Sequence, residues 1–531
     1  MFSSRLAEVA VPTGTVTEYV LRRAEALGGK PAIVDAATGQ ALSYTQLAGA
    51  AGSFAAGLAA RGFGRGCVLA VLAPNIAEYP VVFHGAASAG GAVTTLNPLY
   101  TAGEISAQLR ASGAKWLVTV PALAEKALAA ADGLEILVVG GGGEITGTVP
   151  FSSYLAGGGP PAVAIDPAAD LAALPYSSGT TGLSKGVMLT HRNLLASIAL
   201  LDSVVSLRED DVALVVLPFF HIYGMNAIMN PVLSAGATMV TMRFELGALL
   251  RAIEQYRVSI LYAVPPMINA LARHPDVGDA DTSSLRWIMS AAAPLDAETA
   301  AACAARLGCQ VFQAYGMTEA SPAVTATPPG DDAPFDSVGV ILPDTECKVV
   351  DALSGAELGP GHDGELLFRG PQIMRGYLDD PAASARSFDS EGFYRTGDVG
   401  HIDAEGRLFV VDRIKELIKY KGYQVVPAEL EAILLSHPAV VDAAVIGRRA
   451  GADGEIPAGF VVLSSPAPLA EILVYVESRV APYKKLRALE AVAEIPRSAT
   501  GKILRRVLRD LEAAVLARGV PCTPPMPKRS P

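Results

Sequence analysis

The sequence predicts an α/β architecture of several domains, with largely parallel sheets in its larger part. Three observations carry this expectation. Apolar, β-branched runs alternate with alanine-rich stretches of helical period over residues 44 to 290. At 531 residues the chain is too long for one core and calls for about two to four domains or subdomains. Apolar residues make up 51% and charged ones 18%, the balance of a packed globular chain and not of a disordered one.

The elements follow in order. Residues 44–60 repeat apolar side chains at helical spacing, and 68–72 is a short unbroken apolar run of the kind a parallel strand buries on both faces. A helix over 102–111 and strands over 116–120 and 136–139 continue the alternation. Glycine-rich loops at 140–143 and 157–161 separate these units. Apolar runs at 171–175 and from Gly186 onward flank a polar loop and predict a strand on each side of it. Strands over 212–217 and 237–241 enclose one short helix, then come a helix over 246–257 and strands over 260–264 and 287–290. Near Phe335 the texture changes to short alternating runs (338–339, 346–350, 364–369, 408–411) broken by Gly, Pro and Asp, which predicts a small antiparallel sheet or barrel. A second boundary falls at 412–419. Beyond it lie a helix (427–435), two strands (443–446, 459–462), a helix (469–480) and a basic end, a unit of about 100 residues. The expected domains are therefore 1–413, holding two α/β subdomains and a small β-barrel-like subdomain, and 414–512, a small α+β domain. The proline-rich stretch 513–531 reads as a disordered tail. No internal repeat is present.

Bulk properties exclude several classes. The net charge of −11 argues against general nucleic-acid binding. Five scattered cysteines have no metal-ligand spacing and suit a reducing compartment, so a cytoplasmic protein is expected. The first residues lack a basic-then-apolar signal pattern, and Lys528-Arg-Ser-Pro531 is not a peroxisomal address. Residues 212–242 form a stretch of 31 without Asp, Glu, Lys or Arg, long enough to suggest a membrane span. Pro218, Pro231, Gly224 and Gly236 cut it into short pieces, and His221, Asn226 and Asn230 lie inside, so buried strands around a short helix are expected and no membrane partner.

The most informative segment is Tyr176-Ser-Ser-Gly-Thr-Thr-Gly-Leu-Ser-Lys-Gly186. Ser177, Ser178, Thr180 and Thr181 supply hydroxyls, Gly179 and Gly182 let main-chain N–H groups approach, and Lys185 adds a mobile cation. An oxyanion-rich ligand needs that mix, while a plain flexible turn does not. The spacing is not that of a Walker A loop, since Gly182 and Lys185 are three apart and Gly186 follows the lysine. In Gln313-Ala-Tyr-Gly-Met-Thr-Glu319, Glu319 suits Mg²⁺ and Thr318 a phosphate oxygen, although a strand-end turn with one acid is common. Asp398, in Tyr394-Arg-Thr-Gly-Asp398, and Arg413 read either as a ribose-holding pair or as an ion pair closing the small sheet. Between Pro482 and Arg509, eight Lys/Arg face two acids. A solvated helix face accounts for Arg505, Arg506 and Arg509, while Lys502 after a glycine turn points to phosphate neutralisation. His221, among aromatics, reads as a satisfied core residue or a functional one.

Together these segments resemble the adenylate-forming superfamily, and most closely its 4-coumarate:CoA ligase branch, from about residue 15 to 510. The resemblance rests on 176–186, 218–226, 290–294, 313–319, 392–398, 412–431 and 496–506. It implies a large N-terminal domain and a mobile C-terminal lid, and a two-step reaction: a carboxylate attacks the α-phosphorus of ATP, and the thiol of coenzyme A then displaces AMP. By the family pattern, Lys502 bridges carboxylate and α-phosphate. Ser177 to Lys185 cradle the leaving phosphates, with Mg²⁺ near Glu319 and Thr181. Asp398 and Arg413 hold the ribose, and Gln313, Ala314, Tyr315 and Gly316 with Ala292 frame the adenine. Lys415 is the pivot. Lys419, Lys421 and Gly422 line the coenzyme A tunnel, Gln424 contacts the adenylate, and His221 orients the carboxylate. The alanine-rich composition suggests a bacterial source with a GC-rich genome.

The resemblance also assigns an acyl pocket to Tyr223, Asn226, Met289, Ala291, Ala314, Gly316, Pro322, Ala323 and Val324, an apolar slot for a flat ring. Plant members usually carry Gly at the positions of Ala291 and Ala314 and often Lys at that of Met289. The added methyls narrow the slot, and recognition of a ring hydroxyl rests on Asn226 or is weak. Cinnamate and 4-coumarate are the expected acids, ahead of ferulate and sinapate. The alternatives are a ligase for medium-chain fatty or other aryl acids such as benzoate, an adenylate former that loads a carrier protein, and an inactive nucleotide sensor. The expected partners are the acid, ATP and coenzyme A, with the chain a monomer or homodimer.

Overall fold

Continuous apolar runs such as Val68–Leu72 and Ile260–Ala263 must be covered on both faces, and that requirement organises the molecule. The computed structural model describes residues 1–140, 145–155, 157–178, 184–420, 423–449, 455–498 and 501–510. The chain divides into two units. One comprises 1–347, 367–395 and 406–408, and the other 348–366, 396–405 and 409 onward.

The first unit holds two nine-stranded sheets. In one, Leu171–Ala173, Ala92–Thr95, Val68–Leu72, Trp116–Thr119, Glu135–Val138 and Val149–Pro150 run parallel. Ser184–Thr190 and Tyr176–Ser178 extend that sheet antiparallel at its edge. In the other, Gln310–Gly316, Trp287–Ser290, Ile260–Ala263, Val212–Val215, Thr238–Thr241 and Pro31–Asp35 lie parallel in that spatial order. Ala323–Ala326 and Val340–Ile341 close the Gln310–Gly316 end antiparallel. The intervening helices begin where the sequence places caps. Ser43 and Gln46 form a reciprocal capping box on Tyr44–Ala59, as do Thr101 and Glu104 on Ala102–Ser112.

The seven strands and three helices read from this region occur within one or two residues of their expected bounds. One expectation fails. Residues 338–339 are not a strand of the small sheet. Gly339 has φ +87°, and a Cβ there would sit 2.1 Å from the carbonyl carbon of Ala326, so this is a close-approach turn leading into Val340–Ile341 of the large sheet. The uncharged stretch resolves into Val212–Val215, a π-helix Tyr223–Met229 that continues as Asn230–Ala235, and Thr238–Thr241. Among the described residues no helix is long and apolar enough to cross a membrane.

The second unit contributes to a five-stranded sheet made of Phe2–Ser3, Glu346–Val350, Gly364–Arg369, Tyr394–Ile402 and Leu408–Arg413, in that spatial order. Its C-terminal part sets Val440–Arg449 against Glu455–Leu463 and Ala488–Ala491. The period of two divides the core: Ala443, Val445 and Val461 pack with Leu430, Leu434, Ile472 and Val476 on one face. Ala444, Ile446 and Phe460 pack with Ile495 and Leu508 on the other.

Candidate active site

Parallel strands end on a common edge, and ligands of open α/β sheets gather at their carboxyl ends. In the second sheet of the larger unit, that edge carries Pro218–His221 after Val212–Val215, Ala291–Ala292 after Trp287–Ser290, and Met317–Glu319 after Gln310–Gly316. Three of the segments singled out in the sequence thus issue from one row of strand ends.

The hydroxyl-rich motif is a hairpin. Tyr176–Ser178 pairs with Ser184–Thr190 so that Ser177 stands opposite Lys185 and their side chains share a face. Gly179, Thr180, Thr181 and Gly182 lie outside the described residues, as do Lys421, Gly422 and the side chains of Ser178 and Gln424. The Ser177 hydroxyl donates to Glu319 Oε1 at 2.8 Å, and the Tyr377 hydroxyl donates to the same oxygen at 3.0 Å. Lys185 Nζ lies 4.9 Å from the centre of the Tyr377 ring. Glu319 is only 7% exposed. Burial, and then the charge of Glu319, push the Tyr377 and Tyr394 phenols far up, so both stay protonated and able to donate. Thr318 opens the one-turn helix that carries Glu319. No three His, Cys, Asp or Glu side chains converge among the described residues. One buried carboxylate among hydroxyls is the donor set of a hard cation that takes its remaining ligands from water and phosphate, as Mg²⁺ does.

Beside it, the Gln313 amide donates to the carbonyls of Leu295 (3.1 Å) and Phe335 (2.6 Å), which fixes the strand before Ala314 and Tyr315. Tyr315 packs on Phe368 with ring centres 6.1 Å apart. Gly316 is compulsory: a Cβ there would lie 2.0 Å from the carbonyl oxygen of Pro322, its neighbour across the hairpin. Ala292 holds φ +75°, a left-handed conformation that an alanine adopts only under constraint.

Several of the residues assigned to the acyl pocket meet one another. The Tyr223 hydroxyl donates to the Met289 carbonyl at 3.3 Å, Gly316 faces Ala323, and Pro322 and Val324 are buried beside them. Asn226 differs from expectation. It is fully buried in the π-helix, and Nδ2 donates to the carbonyls of Leu194 (3.2 Å) and Ser321 (2.6 Å) while Oδ1 accepts from Asn230 (2.8 Å). Its N–H groups are spent on the frame, and a ring hydroxyl could only donate to Oδ1. His221 accepts the Tyr223 N–H at Nδ1 (3.2 Å), which puts the proton of the neutral ring on Nε2.

In the second unit, Arg413 Nε and Asp398 Oδ1 are 3.0 Å apart. Asp412 accepts the N–H groups of Arg413 (2.7 Å) and Ala428 (3.3 Å), and burial raises its carboxyl against the pull of Arg505. Lys415 is held below the usual lysine range by burial and by Arg413. Lys419 lies in the hairpin strand Ile418–Tyr420 and donates its main-chain N–H to Glu455 at 3.1 Å. Lys502 is half-buried at the end of a tight turn. Ser498 N–H donates to the Lys502 carbonyl at 2.8 Å, Lys502 N–H donates to Ser498 Oγ at 3.2 Å, and Gly501 has φ +78°. Arg497 braces that turn by donating to the Gly501 carbonyl at 2.8 Å and to Asp442 at 2.7 Å. Arg505 is not on a solvated face. It is inserted between Glu431 (2.7 Å) and the Val445 carbonyl (3.2 Å), while Arg509 pairs with Glu416 at 2.8 Å and Arg506 is exposed. Sequence reasoning missed Tyr377, Tyr394, Arg497 and the Arg505 network, because each partner lies tens of residues away and no motif links them.

The AMP-binding enzyme family matches residues 20–378, and the AMP-binding enzyme C-terminal domain matches 429–502. The chain is 40% identical over 536 residues to 4-coumarate–CoA ligase 3 of Oryza sativa subsp. japonica, covering 98% of this chain and 96% of that one. ATP-bound MatB from Rhodopseudomonas palustris superposes with a TM-score of 0.86 at 30% identity, over 94% of this chain and 100% of that one. The anthranilate CoA ligase AuaEII in complex with anthranoyl-AMP gives a TM-score of 0.86 at 26% identity, over 98% and 100%.

Proposed function

We propose, from the premise that this chain belongs to the adenylate-forming AMP-binding enzymes and within them to the 4-coumarate–CoA ligase family, that it joins 4-coumarate or cinnamate to coenzyme A. A carboxylate is a poor acyl donor because oxide is a poor leaving group. One carboxylate oxygen attacks the α-phosphorus of ATP, pyrophosphate departs, and the acyl-adenylate forms. The thiol sulfur of coenzyme A then attacks the acyl carbon, loses its proton, and AMP leaves. The first step holds two anions together, so positioning and charge neutralisation dominate it.

In this reading the hydroxyls and N–H groups of 177–182 and the Lys185 ammonium hold the β- and γ-phosphates. Glu319 with Thr181 would hold Mg²⁺, which supplies charge neutralisation at the departing pyrophosphate. Gln313, Ala314, Tyr315, Gly316 and Ala292 frame the adenine, and Asp398 and Arg413 take the ribose hydroxyls. The Lys502 ammonium spans the carboxylate and α-phosphate, and His221 directs the carboxylate from its protonated Nε2. A lid from about 414 to 512 turns at Lys415 between the steps, after which Lys419, Lys421, Gly422 and Gln424 serve the coenzyme A step. We place the reaction in the cytoplasm because five scattered cysteines suit a reducing compartment.

The observation that most directly supports the nucleotide part is the bond from Ser177 to the buried carboxylate of Glu319, 142 residues away, on the face that carries Lys185. The test is pyrophosphate release from ATP over a panel of acids, with and without coenzyme A. Release with 4-coumarate and cinnamate, and thioester formation only when coenzyme A is added, is the expected result. Release confined to benzoate or fatty acids would move the acid, and release with no thioester would move the second substrate to a carrier protein.

A further inference from the structure

The two-residue strand Gly376–Tyr377 carries no recognised motif, yet it is tied to both halves of the candidate phosphate site. It pairs antiparallel with Val187–Met188, which begins two residues after Lys185. The N–H of Leu378 donates to the Gly186 carbonyl at 2.8 Å, that of Arg375 to the Met188 carbonyl at 3.0 Å, and that of Met374 to the Glu319 carbonyl at 2.8 Å. Five consecutive residues thus staple the descending strand of the hairpin to the main chain of Glu319.

The Tyr377 side chain repeats the connection. A glutamate carboxylate turns freely about its last torsion unless an oxygen is pinned. Here Oε1 receives two hydroxyls, Tyr377 at 3.0 Å and Ser177 at 2.8 Å, which fixes the plane of the group and directs Oε2 away from both donors. The single proton of Tyr377 is committed to Glu319, so the Tyr394 hydroxyl, 3.4 Å away, is the donor to the Tyr377 oxygen. On the ring face, Lys185 Nζ stands 4.9 Å from the centroid. An ammonium held by an aromatic face still has N–H donors to offer other acceptors. Tyr377 itself is buried, so neither contact is made in bulk water.

We propose that Tyr377 is a positioning residue: its hydroxyl sets the direction of the Glu319 carboxylate and its ring seats the Lys185 ammonium, so that one side chain aligns the metal-binding and phosphate-binding groups. The proposal rests on the ATP-dependent reading above and adds a residue to it.

The test is ATP binding by isothermal titration calorimetry across a range of Mg²⁺ concentrations, for the wild type, Tyr377→Phe and Tyr377→Leu, with the thermal midpoint of each protein recorded. Tyr377→Phe keeps the ring and loses one hydrogen bond to a charged group, so the Mg²⁺ concentration giving half-maximal ATP affinity should rise about tenfold. Its affinity at saturating Mg²⁺ should stay within about twofold of wild type. Tyr377→Leu also loses the seat of Lys185 and should bind ATP about three- to tenfold more weakly even at saturating Mg²⁺. A residue that only fills space would not separate the two dependences. A wild-type Mg²⁺ curve in Tyr377→Phe overturns the Glu319 half, and equal affinities of the two variants at saturating Mg²⁺ overturn the Lys185 half. Absence of ATP binding by the wild type overturns the nucleotide reading, and this inference with it.

Discussion

Lowering the pH from 7.5 to 5.0 is expected to cost the larger unit about 4 kcal/mol through two histidines alone. His84 and His191 are fully buried against the helix Val16–Val20. The Val16 N–H donates to His191 Nδ1 at 3.3 Å, and the Thr17 hydroxyl lies 3.1 Å from His84 Nδ1. Nε2 of each ring is buried with no hydrogen-bond partner among the described residues, so protonation would place a cation in apolar surroundings. Burial pushes His84 down to about 3, and His191 down to about 4 against the opposing pull of Asp170 and Glu18. In the unfolded chain both titrate near about 6.5. Between these values the unfolded state binds more protons than the folded one. The stability is therefore whole above about pH 6.5 and drains away as the pH falls toward 4 and 3. At pH 5.0 each ring accounts for about 2 kcal/mol. A unit of about 380 residues unfolds with roughly 0.8 kcal/mol/K of entropy, so the pair should lower its midpoint by about 5 °C. Scanning calorimetry of the wild type and the His84→Gln/His191→Gln double variant at both pH values measures this. The variant should lose about 5 °C less than the wild type between the two conditions. Equal losses in both proteins would show that neither imidazole is held neutral by the fold, and the reasoning would be refuted.

Three further outcomes are expected. Lys502→Ala should abolish hydroxamate formation from acid, ATP and hydroxylamine with the thermal midpoint retained, whereas Lys419→Ala or Gln424→Ala should slow thioester formation more than adenylation; equal loss in both half-reactions would contradict that division. Ala291→Gly with Ala314→Gly should raise kcat/KM for ferulate and sinapate relative to 4-coumarate by about tenfold or more, since a methyl in such a slot is worth about 1–3 kcal/mol, and an unchanged ratio would put the limit elsewhere. Arg505→Ala strands the buried Glu431 carboxylate and should destabilise the C-terminal part by about 3–5 kcal/mol in urea titration, while Arg506→Ala, on the exposed face, should stay within about 0.5 kcal/mol of wild type.

The parallel strands were legible because a strand buried on both faces must be apolar throughout, and Val68–Leu72 and Trp287–Ser290 begin and end where their apolar runs do. The helices Tyr79–Ser88 and His191–Val205 were not singled out, because nearly all of the first is buried and the second shows polar, less buried residues only near its ends (Arg192, Asn193, Asp202, Ser203), so no polar stripe marks the period. The hairpin at 176–190 and the turn at 313–319 were legible as chemistry because hydroxyls, glycines, a lysine and an acid crowd into a few positions. Tyr377 was not, since a Gly-Tyr dipeptide says nothing until the chain sets it across from Val187 and beneath Lys185. Arg505 was read as a solvated cation for the same reason: its acid, Glu431, is supplied by another helix. Charge counted along the chain tells how many ions there are, and only packing tells which of them have left water.

Among the described residues, six side-chain-bearing residues have positive φ: Ser206, Arg257, Ala292, Ser321, Asp344 and Asp379. Ser206 and Arg257 end α-helices and Ser321 ends the turn that carries Glu319, where a left-handed residue is the ordinary terminator. Asp344 and Asp379 have short polar side chains that tolerate the conformation. Ala292 has neither excuse. It ends no helix, its methyl group makes no hydrogen bond, and glycine would adopt φ +75° without the roughly 1–2 kcal/mol that a Cβ costs there. This strained alanine lies two residues after the strand Trp287–Ser290, on the row of strand ends that also presents His221 and Glu319, and strain of that kind supports the proposed placement of Ala292 beside the ligand.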